Sequence, residues 1–394
     1  MSTASPTFVE FFSGAGGLSL GLKQAGWVPL LALDNWADAV STYGANFSGS
    51  SVVQSDLSEL NDRKLRSLVE DRPDWVVGGP PCQGFSTVGR RERTDPRNAL
   101  VQEFARAVRL LEPAGFLMEN VLGLRDMQFV EDICELFREL RYTVTAHVLT
   151  AAEYGVPQLR RRIVFVGDRT GRAFLKPRPS TAGKHVTVWE AIGDLPELEP
   201  GQKAERYDRV ASSSYQKRMR EGSSTLQGHE ASRHPAYLVR AISFIPDGGN
   251  RQSIPARYQP KSGYHNSYSR LHSASPAVAV TQNMGKPSAT RCIHPFQDRG
   301  LTAREGARLQ GFPDRFHFLG AMMSQRLQIA NAVPPPLAKA LGEALRRAEQ
   351  WSTVPSEWRQ MSLVNEGELP QFACAVWQDG VSQMAEGYGI RSAS

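Results

Sequence analysis

Cysteine is scarce in this chain, and the few present do not cluster. Cys82, Cys134, Cys292 and Cys374 lie far apart. No two form C-x-x-C, and no histidine stands at zinc-finger spacing from another ligand, which argues against a structural zinc site and a disulfide framework. Any special role for a cysteine is then chemical. No stretch approaches the roughly 18 apolar residues of a membrane-spanning helix. The opening Met1-Ser2-Thr3-Ala4-Ser5-Pro6 lacks the basic and apolar regions of a secretory signal. Cytoplasmic residence with no membrane partner is the expectation. Low-complexity runs are missing too: the 34 glycines and 25 prolines follow no period.

What is present is an ordinary globular composition, 41% hydrophobic and 22% charged over 394 residues, enough for two domains and a sizeable core. The net charge of +6 is unevenly spread. Residues 171–300 carry 19 Lys and Arg against 10 Asp and Glu, while the remainder has 27 against 30. A basic excess confined to one part of the chain is what a nucleic-acid-binding face requires; a merely soluble basic surface is the plainer alternative.

The stretch that organises the chain is Gly78-Gly79-Pro80-Pro81-Cys82-Gln83-Gly84-Phe85-Ser86, preceded by Trp75-Val76-Val77. A short apolar run closed by glycine and proline reads as a buried strand end. There the prolines stiffen the chain and the glycines let it turn or approach a ligand. Such a segment holds one thiol at a carboxyl edge, where open α/β sheets bind ligands. An inert thiol in a structural turn is the competing reading.

Upstream, Phe8 to Phe12 leads through Ser13-Gly14-Ala15-Gly16-Gly17 into a helix that stops at Gly26, a strand–glycine loop–helix unit. Ser19 breaks the G-x-G-x-x-G dinucleotide fingerprint, which weakens a nicotinamide dehydrogenase reading. Further strands at 28–33 and 51–54 end at Asp34 and Asp56. Each aspartate alone reads as a helix N-cap. Their repetition at successive strand ends favours a nucleoside-containing cofactor, with Asp34 placed for ribose hydroxyls. A polar, charged segment, Thr87 to Asn98, suits a mobile loop. A fifth strand from Gly115 ends at Glu119-Asn120-Val121, setting a carboxylate beside the thiol. Arg160 and Arg162 alternate along an extended segment and so share a face, with Arg161 on the other.

The succession F-x-G-x-G-G, G-G-P-P-C-Q-G-F-S, Glu119-Asn120-Val121 and Gln158-Leu159-Arg160-Arg161-Arg162 resembles the DNA cytosine-5 methyltransferases. So do Arg304 to Pro313 and Gln328-Ile329-Ala330-Asn331-Ala332-Val333-Pro334-Pro335; Gly306 stands where that family often has alanine. The resemblance spans roughly residues 7–348. It implies a mostly parallel, doubly wound α/β sheet, the Rossmann-like class I methyltransferase architecture, with a smaller target-recognition domain. The expected boundaries are 1–175 for the catalytic and cofactor-binding domain, completed by about 321–350, and 176–320 for target recognition. A tail of unknown role would occupy 351–394. Within the second part, 176–200 reads as a connector, and His229 and His234 as solvated or capping residues rather than metal ligands.

By the same resemblance the cofactor is S-adenosyl-L-methionine, held by Phe12, Gly14, Gly16, Asp34, Asp56, Pro80, Leu100 and Asn331. Catalysis falls to Cys82 as nucleophile, Glu119, Arg160 and Arg162, with Asn120 bracing the loop around Cys82. Gln83 and Ser86 contact DNA, and no metal takes part. Double-stranded DNA is the partner, with the target base extruded. A cognate restriction endonuclease acting separately, or methylation without one, and a monomeric state complete the expectation. A transfer-RNA cytosine-5 methyltransferase and a catalytically silent DNA-binding protein stay open as alternatives.

Overall fold

Seven short runs of β-branched and large apolar residues pair into one sheet. The computed structural model describes residues 5–81, 99–121, 127–181, 183–260, 267–289 and 291–353. Cys82, Gln83, Ser86, the polar segment to Asn98, Cys374 and most of the expected tail lie outside them. Strands β1 (Thr7–Phe11), β2 (Val28–Asp34), β3 (Ser51–Gln54) and β4 (Trp75–Gly78) alternate with helices α1 (Gly17–Gln24), α2 (Ala37–Asn46) and α3 (Asp62–Leu68). Next come α4 (Ala99–Leu111), β5 (Gly115–Val121), α5 (Met127–Glu139), β6 (Thr143–Thr150) and β7 (Arg161–Asp168). The sheet order is β3-β2-β1-β4-β5-β7-β6. Every neighbouring pair is parallel except those made by β7, which runs antiparallel to β5 and β6. The carboxyl ends of β1 to β5 and the start of β7 therefore meet at one edge.

Both faces of the sheet are covered, which explains why its strands read as continuous apolar runs. Val9, Phe11, Val76, Phe116, Met118 and Phe165 point to one face. There α4 presents Val101, Phe104, Ala105 and Val108 at helical spacing. Phe8, Trp75, Val77, Leu117 and Val164 point to the other, which is covered by α1 and a late helix.

Beyond β8 (Arg172–Phe174) the chain leaves the sheet for α6 (Val188–Ile192), α7 (Ser214–Arg220), α8 (Ala236–Ile242), α9 (Ala303–Gln310) and α10 (Met322–Asn331). It then returns through α11 (Pro335–Leu345) and β9 (Trp351–Thr353), which pairs with β8. Two expectations change. The connector at 176–200 contains α6, started by a reciprocal Thr187–Glu190 capping box and burying Val188, Ala191 and Ile192. Its Pro, Gly and Glu content marked the turns on either side and concealed three buried positions. His229 is buried rather than solvated: its ring nitrogens contact Thr302 Oγ1 at 3.1 Å and Pro196 O at 2.9 Å, and burial lowers its pKa.

The segment 303–318 centres the small domain. The buried arginines in it and just before it are matched: Arg299 forks onto Glu305 at 2.7 and 2.9 Å, and Arg308 is held by Asp314 and Asp194. Glu305 also closes the N-cap box of α9 with Thr302.

Helix α11 crosses α1 closely because Gly21 has no side chain. A Cβ there would run into the Pro335 carbonyl oxygen and the Ala338 methyl. In an exposed helix, glycine to alanine gains ~1 kcal/mol; against fixed backbone, overpacking costs about 1–3 kcal/mol. Gly21→Ala is therefore expected to lower the urea midpoint, and a raised midpoint would contradict this crossing.

Candidate active site at the carboxyl edge of the sheet

At the end of β1 the chain turns sharply. Phe12 has φ of 56°, a left-handed conformation that a bulky side chain adopts only under local constraint. The turn aims Gly14 N at Asp34 Oδ2, 2.8 Å away, while Trp36 N donates to Asp34 Oδ1 at 2.9 Å. Burial nevertheless raises the Asp34 pKa above its usual value, against the lowering by these two amides. Asp56 is the opposite case. The Ser58 hydroxyl and amide, at 2.6 and 2.9 Å, hold its carboxyl below the usual range. It caps the turn Leu57–Glu59, so the N-cap reading of this aspartate describes one of its two oxygens. The other accepts from Asn35 Nδ2 at 3.1 Å.

These strand ends enclose a cavity of about 470 Å³, within the range of small-molecule sites. Of the expected residues, Phe12, Gly14, Asp34, Asp56, Pro80, Leu100, Glu119, Arg160, Arg162 and Asn331 line it. Gly16 lies beside it: φ of 89° starts α1, and a Cβ would meet the Tyr43 and Phe47 rings rather than the cavity. Cys82, Gln83 and Ser86 lie outside the described residues; Pro81, directly before Cys82, lies on the wall.

Pairing of β5 with β7 sets Val121 opposite Arg162 and Glu119 opposite Val164. Arg162 Nε then lies 2.8 Å from Glu119 Oε1, both largely shielded from solvent. The N–H is not aimed along that line, so the contact is an ion pair and Oε1 keeps no hydrogen-bond donor among the described residues. Gly79 runs directly over this carboxylate: a Cβ there would lie 3.4 Å from Glu119 Oε2. Asn120 Nδ2 donates to Pro80 O at 3.1 Å, tying β5 to the segment that leads into Cys82. Arg160 is fully buried, and Nη2 donates to Ala330 O at 2.8 Å. Burial pushes its pKa down to about 9, the Arg162 charge adds to the fall, and Glu119 opposes it.

Polar atoms on this wall are left unmet. Ser13 Oγ, Arg160 Nε and Gln328 Oε1 are buried with no hydrogen-bond partner among the described residues, and all three residues border the cavity. Buried orphans of this kind call for a ligand or water.

Sequence reasoning missed Glu10, Ser13 and Gln328. Glu10 had a signal, a charge in the middle of an apolar strand. It is 2% exposed, accepts from the Ser19 hydroxyl, and through it reaches Tyr43, whose hydroxyl is 2.8 Å from Ser19 Oγ. Burial pushes its carboxyl up to about 8; the Ser19 hydrogen bonds oppose the rise and the Asp34 charge adds to it. The remaining described cysteines offer no rival to Cys82: Cys134 and Cys292 are buried, and burial pushes the Cys134 thiol up to about 12.

A mostly parallel seven-stranded sheet with an antiparallel β7, its site at the carboxyl edge, is a Rossmann-like methyltransferase. Residues 6–347 match the C-5 cytosine-specific DNA methylase family, and the chain belongs to it. Similar proteins include Type II methyltransferase M1.HphI of Haemophilus parahaemolyticus, 42% identical over 348 residues, covering 86% of this chain and 87% of the relative. Type II methyltransferase M.DdeI of Desulfomicrobium norvegicum is 37% identical over 368 residues, covering 86% and 88%. Among solved structures, a DNA modification methyltransferase encoded within an E. coli prophage superposes with TM-score 0.70 at 26% identity, covering 86% of this chain and 98% of that one. The Spodoptera frugiperda DNMT2, at TM-score 0.59 and 16% identity over 87% of this chain and all of the other, shares the fold. The chain is thus a DNA cytosine-5 methyltransferase; the transfer-RNA and silent-binder alternatives are not favoured.

Glu10 gives this edge a pH dependence. Its proton is held to about pH 8 in the folded protein, against 4.5 for the free side chain. The folded state binds the extra proton between those values, so stability is full below the lower one and declines as pH rises through the upper. Melting temperatures of the wild type are expected to fall from about pH 5 to about pH 8 more steeply than those of Glu10→Gln, which stays neutral. Parallel profiles would remove this carboxyl as the cause.

Proposed function

We propose that the cavity binds S-adenosyl-L-methionine and that the chain methylates a cytosine extruded from a specific duplex sequence, through a covalent adduct on Cys82. The observation that carries this reading is the convergence of Glu119, Arg162 and the Pro80-Pro81 segment on the cavity that also holds the Gly14–Asp34 loop. The unmet Ser13, Gln328 and Arg160 atoms suit a ligand with both a charged amino-acid end and a polar nucleoside end. Phe12 would pack on the adenine ring, Asp34 would take the ribose and Asp56 the adenine amine. Gly14 and Gly16 would let the methionine portion approach the backbone, with Pro80, Leu100 and Asn331 completing the walls. When bound, this cofactor supplies an electrophilic methyl group on a sulfonium.

The protein's own task is to make cytosine carbon 5 nucleophilic. The Cys82 thiolate forms a bond to ring carbon 6, and the displaced electron pair moves toward carbon 5. Glu119 holds ring nitrogen 3, limiting charge on the ring as it builds. Arg162 lies beside Glu119 and can hold the base carbonyl while fixing the carboxylate. Buried Arg160 supports the same wall from Ala330. After methylation, loss of the carbon 5 proton re-forms the ring double bond and expels Cys82. The reacting atoms of a stacked base are inaccessible, so the base must leave the helix; Gln83 and Ser86 would contact the DNA around it.

The names of the two relatives support a role as the protective half of a restriction–modification pair, with the endonuclease as a separate protein. A monomer acting in the cytoplasm accords with this. No described helix is long and apolar enough to cross a membrane.

Cys82→Ala is expected to abolish both methyl transfer and trapping on 5-fluorocytosine duplex, read by bisulfite sequencing and by a denaturation-resistant adduct. Near-normal turnover would reject the covalent route. Glu119→Gln is expected to slow turnover by about 100-fold or more, with cofactor affinity by calorimetry within a few fold; unchanged turnover would remove its role.

A further inference from the structure

Many arginines beyond the sheet are matched by acids. Arg209, Arg220, Arg270, Arg299, Arg304 and Arg308 each face a carboxylate. Between residues 231 and 260 the pattern reverses. Arg233, Arg240, Arg251 and Arg257 share that stretch with one acidic residue, Asp247, and Asp247 is turned to the Ser273 amide and hydroxyl. None of the four has an ion-pair partner among the described residues.

Two of them have aromatic partners instead. Phe244 and Tyr258 stack with ring centroids 5.2 Å apart and planes at 25°. The Arg240 guanidinium lies 4.8 Å over the Phe244 ring and 5.7 Å from the Tyr258 ring, and Arg257 lies 4.8 Å over Tyr258. Both arginines are exposed and both rings are half-buried. The stack rests on its own small core of Leu238, Ala241, Ile242, Ile245 and Ile254. Arg270 locks that core by donating to Ile242 O, Ile245 O and His294 O at 2.6 to 2.9 Å. The lead-in is anchored close to the cavity: Ser232 Oγ accepts from Arg326 Nη2 at 2.9 Å. Arg326 precedes cavity-lining Ala330 by one turn of α10, a rise of about 6 Å.

A guanidinium held over a ring loses freedom while its N–H groups stay free of a competing carboxylate. That is a preset fork. Phosphate can be held by any mobile cation, lysine included, whereas the O6/N7 edge of guanine is matched best by a planar pair of donors fixed in place. We infer that Arg240 and Arg257, clamped by Phe244 and Tyr258, read guanine edges in the recognition sequence of this methyltransferase. The assignment rests on duplex DNA being the substrate and adds which residues select the site.

The test determines the wild-type recognition sequence on plasmid DNA by bisulfite mapping. Wild type, Arg240→Lys, Arg257→Lys and Phe244→Leu are then compared on the cognate duplex and on duplexes with one base pair changed. Each arginine variant keeps its charge and is expected to lower the preference for cognate over one singly changed duplex by about 10-fold or more, at one G·C position. Phe244→Leu, which frees the Arg240 fork, is expected to relax the same position as Arg240→Lys. Unchanged preference in both lysine variants, with unchanged melting temperature, overturns the assignment. A loss uniform over all duplexes with a shallower salt dependence overturns it too, because that marks a phosphate contact. Wild-type methylation in the same reactions checks the activity separately. If wild type fails to methylate DNA, the reading of the activity fails; if wild type methylates DNA and the variants keep its selectivity, the inference fails alone.

Discussion

The ion pair between Glu119 and Arg162 exists because β5 and β7 run antiparallel in one register. A slip of a single residue would turn both arginines at the start of β7 to the opposite face, since side chains alternate along a strand. Several contacts resist that slip. Phe116 stacks on Phe137 at 4.1 Å, and Gly167 leaves room for the Phe116 ring. Just before β7, Gln158 is wholly buried. Its Oε1 accepts from Val280 N at 2.8 Å, and its Nε2 donates to Leu309 O at 3.0 Å and Gln310 Oε1 at 2.8 Å. Gln310 Nε2 in turn donates to Ile329 O at 2.7 Å. One satisfied polar junction thus joins the arginine segment, the small domain and the helix that lines the cavity. Networks of this kind specify a single arrangement because a half-made version leaves buried groups unpaired.

Charge is handled differently on the two sides of the molecule. In the small domain, buried Arg299 and Arg308 are matched by Glu305, Asp194 and Asp314. Removing one partner would strand a charge in the interior, so these pairs bind the segments together even where their net stabilisation is small. At the cavity the matching is incomplete. Among the described residues, Arg160 has a backbone carbonyl but no carboxylate at hydrogen-bonding distance, and Ser13 and Gln328 keep unmet atoms. Interior packing there is subordinate to recognition.

Much of the edge was readable in the chain because it is built from local grammar. A glycine or a carboxylate closing an apolar run marks a strand end, and five such ends recur, at Gly14, Asp34, Asp56, Gly78 and Glu119. Alternation placed Arg160 and Arg162 on one face, and both line the cavity. Failures came where long-range contacts decided. His229 looked like a polar loop residue until Thr302 and Pro196 enclosed it. Residues 188–192 looked like part of a connector until α9 and Asp194 gave them a core to enter. Glu10 was visible as an odd charge in a strand, but the burial that raises its pKa depends on the helices α1 and α2, which bring Ser19 and Tyr43 together beside it.

The sequence by itself determined the order of strands and helices, the glycine loop, the two aspartates and the carboxylate at strand ends, and the motifs that define the family. These follow from periodicity and turn chemistry, which act over a few residues. Only the tertiary structure decided that Glu119 meets Arg162, that Gly16 packs on α2 instead of lining the cavity, and that Phe244 stacks on Tyr258 beside Arg240 and Arg257. Those outcomes depend on register, crossing distance and burial. All three are fixed by residues tens to hundreds of positions apart, which no local pattern encodes.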